Sequence, residues 1–311
     1  MCRAAADKGW EPRALALADG GEGTLVALGG PNRSSAVTGP LNTPVEAAWR
    51  LSESTAVVEM ALASGLALID GQNDPISATT KGTGELIAKA IEAGATEVIV
   101  AVGGSATTDG GNGAVSVLEP YGPLDGTHGY RVVVACDVVT SFVDAARDFG
   151  PQKGASPGQV RFLTERLESL ADDYLARFGT DVRVIPGAGA AGGLAGGLAA
   201  LGARLVGGFD LVADRVGLDG AIREADLVLT GEGRLDSQSL EGKVVGGLDR
   251  RCAEAGVAMW AVVGQDSLET GVGPARFSLA QRFGLKAAMG DTLGCISTAV
   301  GEILESIGPV S

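Results

Sequence analysis

The sequence predicts an α/β protein in which a Rossmann-like parallel-sheet domain carries an inserted mixed α/β domain. Apolar runs of strand length recur along the chain, and stretches with helical spacing separate them. Several runs end abruptly in glycine-rich or acidic segments, as strands do where an α/β sheet opens onto a ligand. The chain has 311 residues, enough for two domains. We expect residues 1–35 and 222–311 to form the first domain and residues 36–221 the inserted one.

The first elements follow from periodicity. Residues 37–59 contain turn clusters between short β-like runs, which predicts a small antiparallel meander. Residues 82–93 have apolar positions at helical spacing, and after Gly94 the segment of residues 97–102 (EVIVAV) is apolar from Val98 onward. We therefore expect a helix followed by a buried strand.

A long amphipathic helix is predicted for residues 157–178. Its expected apolar face consists of Val160, Leu163, Leu167, Leu170 and Leu175. Nearer the end, residues 240–255 predict a helix, MWAVVG predicts a strand, and residues 298–307 predict another amphipathic helix.

Charge and composition exclude several classes of protein. The net charge is −14 and the pI is about 4.5, whereas nucleic acids and anionic membranes require concentrated Lys and Arg. No apolar stretch reaches the roughly 20 residues that span a bilayer, and the N-terminus lacks a signal-peptide core. We expect a cytoplasmic protein, a monomer or homodimer, that binds small molecules and neither nucleic acid nor membrane.

Residues 225–236 (ADLVLTGEGRLD) join an apolar run to glycines interleaved with charged residues. We expect the run LVL to be a buried parallel strand that delivers Glu232, Arg234 and Asp236 to a crevice beyond its carboxyl end. The two carboxylates suit a hydroxyl or a metal, and the guanidinium suits carboxylate or phosphate. A surface turn with a local ion pair is the alternative.

The same pattern recurs in other segments, each an apolar run that ends in a polar or glycine-rich loop. They are residues 19–24 (DGGEGT), residues 103–113 (GGSATTDGGNG), Cys136 and Asp137 at the end of VVVACDV, residues 149–154 (FGPQKG) and residues 187–193 (GAGAAGG). One such loop could be a turn, but their number favours a site for a polar ligand.

In this order, these motifs resemble those of the bacterial glycerate kinase family, of the glycerate 2-kinase type. The resemblance runs from about residue 18 to about residue 247 and continues weakly to the end. It implies ATP-dependent phosphorylation of D-glycerate, at the 2-hydroxyl, on a two-domain α/β scaffold. ATP and Mg²⁺ are the implied cofactors.

Three segments depart from that family's pattern. No Asp-Ser-Phe-Lys-Gly loop precedes Asp19, residues 115–131 form an unusually short connection, and VTSFVDAARD lacks a Gly-Pro-Asn-Gly segment. The chain therefore looks shortened at its N-terminus and in the middle, which places its activity in doubt, although an active enzyme is the favoured interpretation. A kinase-like protein that binds nucleotide or a small acid without transferring phosphate is the alternative to an active enzyme.

Four side chains are expected to act on the reacting groups. Asp137 or Asp236 would orient or deprotonate the glycerate hydroxyl, and both are expected to bind Mg²⁺. Arg234 and Lys153 would stabilise oxygens of the transferred phosphate, and Arg234 also suits the substrate carboxylate. A local turn at Asp137 and a surface position for Lys153 are the alternatives.

Other residues of these loops are expected to bind substrate or phosphate. They are Asp19, Gly20, Gly21, Glu22, Gly23, Ser105, Thr107, Asp109, Gly187, Gly189, Gly192, Gly231, Glu232 and Gly233. For Asp109, capping of a helix is the alternative.

The GAGAAG segment also supports a different enzyme class. Gly187, Gly189 and Gly192 match the dinucleotide fingerprint, and Asp210 lies near the distance expected for a ribose-binding acid. An NAD(P)-dependent dehydrogenase is therefore an alternative. Against it, Gly196 and Gly197 weaken the helix that should follow, and no obvious catalytic His, Lys or Tyr accompanies the motif.

Overall fold

The computed structural model describes residues 1–237, 243–269 and 271–308. The chain divides into two compact units: unit 1 is Met1–Ala16 with Ala213–Ser311, and unit 2 is Leu17–Val212. Helices and strands alternate along the chain, and the strand pairs are mostly parallel, so the mixed α/β class is confirmed. Division of the chain into domains at residues 35 and 221 stays a prediction.

The strands are β1 Arg33–Thr38, β2 Pro44–Ser52, β3 Thr55–Glu59, β4 Glu97–Ala101, β5 Arg131–Ala135, β6 Arg204–Val206, β7 Leu227–Leu235, β8 Ala258–Asp266 and β9 Ala275–Ser278. The α-helices are α1 Cys2–Ala6, α2 Thr24–Ala27, α3 Ala61–Ser64, α4 Lys81–Glu92, α5 Asn112–Leu118, α6 Ala145–Phe149, α7 Pro157–Phe178, α8 Leu194–Ala200, α9 Gly208–Arg215, α10 Leu218–Arg223, α11 Val244–Ala255, α12 Leu279–Phe283, α13 Leu285–Gly290 and α14 Thr292–Ile307.

Unit 2 is built on one sheet with the strand order β1-β2-β3-β4-β5-β6. Strands β1, β2 and β3 pair antiparallel, which confirms the predicted meander, and β3 to β6 pair parallel. The carboxyl ends of the four parallel strands therefore share one edge. The segments that follow these strands carry most of the predicted ligand-binding residues.

The helices of unit 2 follow their local sequence signals. Helix α4 lies where helical spacing predicted it, and α7 has the predicted bounds. Ser156 and Gln159 form a capping box at the start of α7, and Gly179 ends the helix in the left-handed conformation at φ 74°. These signals fix both ends within the local sequence.

The buried face of α7 differs in part from the predicted one. Leu163 and Leu167 are buried as expected, and the stripe continues through Ala171 and Tyr174. Leu175, predicted on this face, is 41% exposed. It lies one residue past Tyr174, a rotation of about 100° around the helix, which carries it off the stripe.

Unit 1 has a parallel sheet with the strand order β7-β8-β9. Helix α14 buries Ala299, Val300 and Ile303 in a core that includes Val262 of β8. The predicted strand MWAVVG lies within β8, and predicted residues 298–307 form the second part of α14. Of the helix predicted over residues 240–255, α11 covers Val244–Ala255, while residues 240–242 lie outside the described residues.

Within the described ranges, the helices are all too short or too polar to cross a lipid bilayer.

Candidate active site

The DGGEGT loop lies across the strand ends of unit 2. The Val102 N–H, just after β4, donates to the Gly20 carbonyl at 2.9 Å. A Cβ on Gly20 would lie 2.7 Å from the Ala135 carbonyl oxygen at the end of β5, so glycine is required there. A Cβ on Gly208 would overlap the Asp19 carbonyl. The loop is thus held against the segments that follow β4, β5 and β6.

Asp137 follows β5 at this edge, and its carboxylate binds the first turn of α9. Its Oδ1 accepts the Gly208 N–H at 2.8 Å, and its Oδ2 accepts the Phe209 N–H at 2.9 Å. Burial raises the pKa of Asp137 to about 6, and the negative charges of Asp19 and Asp210 add to the rise against the lowering effect of the two N–H donors. Asp137 is therefore an ionised but unusually basic carboxylate at neutral pH.

Asp210 was not assigned to this site from the sequence, where only a ribose-binding role was considered. A Cβ on Gly207 would lie 3.6 Å from Asp137 Oδ1 and 3.7 Å from Asp210 Oδ2, so both carboxylates flank this glycine. The sequence LVGGFD, an apolar run followed by two glycines and an acid, is the signal that could have identified Asp210. We call Asp19, Asp137 and Asp210 the acidic edge.

Glu59, at the end of β3, is a further acid near the same loop. Its Oε1 accepts the Leu25 N–H at 2.7 Å, and burial raises its pKa, with Glu22 adding repulsion. This contact ties helix α2, which begins directly after Gly23, to the strand end. Glu59 therefore anchors the residues that follow the DGGEGT loop to the end of β3.

The acidic edge has too few ligands to hold a magnesium ion by itself, but it can hold one together with nucleotide phosphates. Within the described ranges, no group of three or more His, Cys, Asp or Glu side chains is arranged to hold a metal. Mg²⁺ bound with nucleotide phosphates needs only one or two protein carboxylates. Asp137 uses one lone pair of each oxygen for an N–H and keeps others, and Asp19 lies nearby. These two residues fit such an ion, whereas a shared role of Asp137 and Asp236 stays a prediction.

The GGSATTDGG loop connects β4 to α5, and its first residues face the DGGEGT loop. A Cβ on Gly103 would lie 2.6 Å from Gly21 Cα, and one on Gly104 would overlap Glu22 Oε1. Ser105 is half-buried and bridges to Gly65. Ser105 thus belongs to the part of the loop nearest the acidic edge.

Thr107 and Asp109 lie deeper in unit 2. Thr107 is fully buried, which removes its side chain from direct reach of solvent. The Asp109 carboxylate, 8% exposed, accepts the N–H and the hydroxyl of Thr80, both at 2.9 Å, and the N–H groups of Gly111 and Gly113, both at 3.2 Å. The contact with Gly113 satisfies an N–H of the first turn of α5, although Gly111 is the N-cap residue of that helix. Binding of phosphate by Asp109 stays a prediction.

Lys153 is buried, not on the surface as the alternative had it. It is 3% exposed, and its Nζ donates to the Thr107 carbonyl at 2.6 Å. Burial lowers the pKa of Lys153 to about 7, although Asp109 opposes this effect. The contact ties the FGPQKG turn to the GGSATTDGG loop, and contact of Lys153 with phosphate stays a prediction.

The glycines of GAGAAGG pack against the chain's own backbone. A Cβ on Gly187 would lie 2.8 Å from the Val138 carbonyl, one on Gly189 would overlap the Ser141 carbonyl, and one on Gly192 would overlap the Thr107 carbonyl. These glycines therefore allow close contact between loops. Ligand binding by them stays a prediction.

The dinucleotide interpretation of this segment is contradicted. The fingerprint requires a strand before its first glycine, but Val182–Val184 form a 3₁₀ turn. Ala191 and Gly192 have left-handed backbone angles, so the glycines bend the chain repeatedly before α8 begins at Leu194. The strand-turn-helix arrangement that would cradle a dinucleotide is missing from this segment.

The TGEGRLD segment lies in unit 1, and the predicted end of its strand is wrong. Strand β7 continues to Leu235, so Glu232 and Arg234 are strand residues paired beside Val263 and Gln265 of β8. Pairing with the long β8 overrides the low strand propensity of the glycines, which β7 tolerates as an edge strand. Of the three charged residues, only Asp236 follows the strand.

The glycines of this segment differ in their surroundings. A Cβ on Gly231 would lie 2.8 Å from Met1 Cε, whereas one on Gly233 would have no described atom within 4 Å. The Gly233 N–H donates to Glu232 Oε1 at 3.1 Å. Gly233 is thus the more open of the two positions.

Comparison with known proteins decides the family. The model of the glycerate kinase family matches residues 2–120 and 124–304. The chain belongs to the glycerate kinase family. Glycerate 2-kinase of Escherichia coli (strain K12) is 42% identical over 264 residues, covering 73% of this chain and 69% of the relative. Glycerate kinase of Bacillus subtilis (strain 168) is 37% identical over 298 residues, covering 84% of this chain and 78% of the relative.

A solved structure agrees with this family assignment. A crystal structure assigned provisionally as glycerate kinase 2 from Salmonella typhimurium LT2 superimposes with a TM-score of 0.75 at 34% sequence identity. The match covers 95% of this chain and 89% of that one. Family membership supports a kinase that phosphorylates glycerate.

The doubt about catalytic activity is not borne out. It rested on the shortened segments, yet the family model spans nearly the whole chain and the relatives align over most of it. The departures from the family pattern therefore do not remove the chain from the group of kinases it matches.

Proposed function

We propose that the protein transfers the γ-phosphoryl group of ATP to the 2-hydroxyl of D-glycerate, giving 2-phosphoglycerate and ADP. Membership of the glycerate kinase family supports the substrate, and the Escherichia coli relative is named a glycerate 2-kinase. The observation that carries the proposal is Asp137, a carboxylate with a pKa raised to about 6 at the open edge of a parallel sheet.

Asp137 suits the part of general base. The 2-hydroxyl proton would pass to its carboxylate as the hydroxyl oxygen forms a bond to the γ-phosphorus. The bond from that phosphorus to the β,γ-bridging oxygen breaks, and ADP leaves with the bond's electron pair. The N–H donors of Gly208 and Phe209 hold the carboxylate in a fixed direction, so little reorganisation is needed during the transfer.

The negative charges of this edge would repel the anionic substrates, and a bound cation would reduce this repulsion. Asp19 and Asp210 each repel the negative charge of Asp137, and both substrates are anions. We propose that Mg²⁺ arrives with ATP and is held in part by Asp19, near Asp137, which accepts the proton. When bound, it would neutralise phosphate charge. Phosphate or substrate contacts by Arg234, Asp236, Glu232 and Lys153 remain predictions.

A coupled assay tests the proposed function. Purified protein with ATP, Mg²⁺ and D-glycerate should release ADP, and L-glycerate provides the matched control substrate. Enolase added to the products should form phosphoenolpyruvate directly, because enolase acts on 2-phosphoglycerate and not on 3-phosphoglycerate. ADP release without enolase turnover would reject the 2-hydroxyl as acceptor, and no glycerate-dependent ADP release would reject the function.

A further inference from the structure

Three consecutive carbonyl groups in the loop between β4 and α5 each accept a hydrogen bond from a different long side chain. The pairs are Asn73 Nδ2 to Ala106 O at 2.9 Å, Lys153 Nζ to Thr107 O at 2.6 Å, and Arg166 Nη2 to Thr108 O at 2.6 Å. The donors come from the segment before α4, the turn before α7 and α7 itself. We call Asn73, Lys153 and Arg166 the donor triad.

The triad residues are also connected to one another and to the surrounding backbone. Asn73 Nδ2 donates to the Lys153 carbonyl at 2.9 Å, and Arg166 Nη1 donates to the Ile76 carbonyl at 2.8 Å. Arg166 is a cation, Lys153 is one in its protonated form, and hydrogen bonds from charged donors to carbonyl groups are stronger than those from neutral donors. These hydrogen bonds connect the three side chains and the segment that they bind into one network.

The segment that the triad binds cannot obtain these hydrogen bonds elsewhere. Ala106, Thr107 and Thr108 are fully buried, so water does not reach their carbonyl groups. Loss of a donor would leave a buried acceptor unsatisfied, at a cost of about 1–3 kcal/mol. The segment is neither helix nor strand, so contacts with distant residues fix its path.

Unsatisfied polar atoms gather around the same segment. The side-chain atoms Asn73 Oδ1, Thr107 Oγ1, Thr108 Oγ1 and Arg166 Nε are buried without a hydrogen-bond partner in the described part of the chain. Native interiors seldom leave such atoms unpaired, because each one reduces stability. All four atoms belong either to the donor triad or to the segment that the triad binds.

The segment leads directly to the acidic edge. Gly103 and Gly104, two to three residues earlier, pack against Gly21 and Glu22 of the DGGEGT loop. That loop contacts the end of β5 and the first turn of α9, which binds Asp137. A displacement of residues 106–108 would therefore be passed to the acidic edge.

We infer that Asn73, Lys153 and Arg166 are positioning residues that hold residues 103–113 against the DGGEGT loop and so set the geometry of the acidic edge. None of the three needs to touch substrate in this role. The expected effect of the triad on catalysis rests on the proposed function, whereas its expected effect on the position of residues 103–113 does not.

Hydrogen exchange tests the structural consequence. Lys153→Met removes the donor to Thr107 O, and Lys89→Met, at an exposed position of α4, is the matched control. Peptides covering residues 103–113 should exchange at least tenfold faster in Lys153→Met and at the wild-type rate in Lys89→Met. Asn73→Ala and Arg166→Lys are milder changes that serve if Lys153→Met does not fold. Unchanged exchange in the triad variants would overturn the inference.

Steady-state kinetics tests the consequence for catalysis. For each triad variant, kcat with D-glycerate should fall at least tenfold per folded molecule, while KM changes by less than about threefold, because a misplaced site binds substrate but reacts slowly. The folded fraction is measured by near-UV circular dichroism. Wild-type kcat per folded molecule would assign the triad a purely structural role and overturn the inference. If the wild-type chain transfers no phosphate, the proposed function fails, and hydrogen exchange alone decides whether the triad holds the loop.

Discussion

Asp109 and Asp137 have the same sequence signature, since each follows a buried strand of unit 2 and precedes a helix, but their surroundings differ. The Asp109 carboxylate is buried and faces four hydrogen-bond donors. Asp137 is half-buried, faces two N–H donors and has Asp19 and Asp210 as negatively charged neighbours. If the proposed function is correct, the donors around each carboxylate, more than its position after a strand, separate the hydrogen-bonded Asp109 from Asp137, the proposed base.

The largest expected effect is on catalysis, in Asp137→Asn. Removal of the base should lower kcat/KM for D-glycerate by about 10²- to 10⁴-fold. The free energy of unfolding should change by less than about 2 kcal/mol, since the lost N–H acceptor is offset by relief of repulsion from Asp19 and Asp210. The coupled assay and urea unfolding measure the two quantities. Activity within threefold of wild type would remove Asp137 from the reaction.

The next effect is on stability, in Asp109→Asn. In either orientation, the new amide group would direct N–H groups at the N–H donors of Thr80 and Gly113 or of Gly111, at a cost of about 2–4 kcal/mol. Asp125→Asn is the matched control, because Asp125 is exposed and its Oδ1 accepts one N–H, from Thr127 at 2.9 Å. Urea unfolding measures both variants. An Asp109→Asn protein as stable as the Asp125→Asn control would show that the four donors around Asp109 do not give this carboxylate a structural role.

The smallest expected effect is on pH dependence, in Asp210→Asn. Asp137 must be ionised to accept a proton, and its pKa is raised to about 6, so kcat/KM should fall as the pH decreases through about 6. Loss of the Asp210 charge favours ionised Asp137, which should move this acid limb down by roughly half a pH unit. The pH profile of kcat/KM measures it. An acid limb that stays in place, or moves up, would show that Asp210 does not act on Asp137.

Much of the fold could be predicted because its signals are local. The bounds of α7 follow from the Ser156 capping box and from Gly179, and the meander follows from turn clusters between short strands. The length of β7 could not be predicted in this way. Its extension through Gly231 and Gly233 depends on pairing with β8, about 30 residues later in the chain.

The site could be predicted less completely. Glycine density predicts close approach of a ligand at Gly187 and Gly192, whereas the atoms that approach these glycines in the structure are backbone of the same chain. The sequence predicts contact of Lys153 with phosphate, but it does not reveal the hydrogen bond to the Thr107 carbonyl, because Thr107 lies 46 residues away in the chain. Periodicity identifies strand ends, whereas contacts between distant loops require the fold.

The most direct test of Asp137 as the reactive acid is its own titration in the presence and absence of substrate. Carbon-13 NMR of protein labelled at the Asp carboxyl carbons, with Asp137 assigned by its absence in Asp137→Asn, follows this group alone. We predict a midpoint near pH 6 in the free protein and a clear change in that resonance when D-glycerate is added. A midpoint at or below the ordinary Asp value of about 3.9, with no response to D-glycerate, would contradict the account.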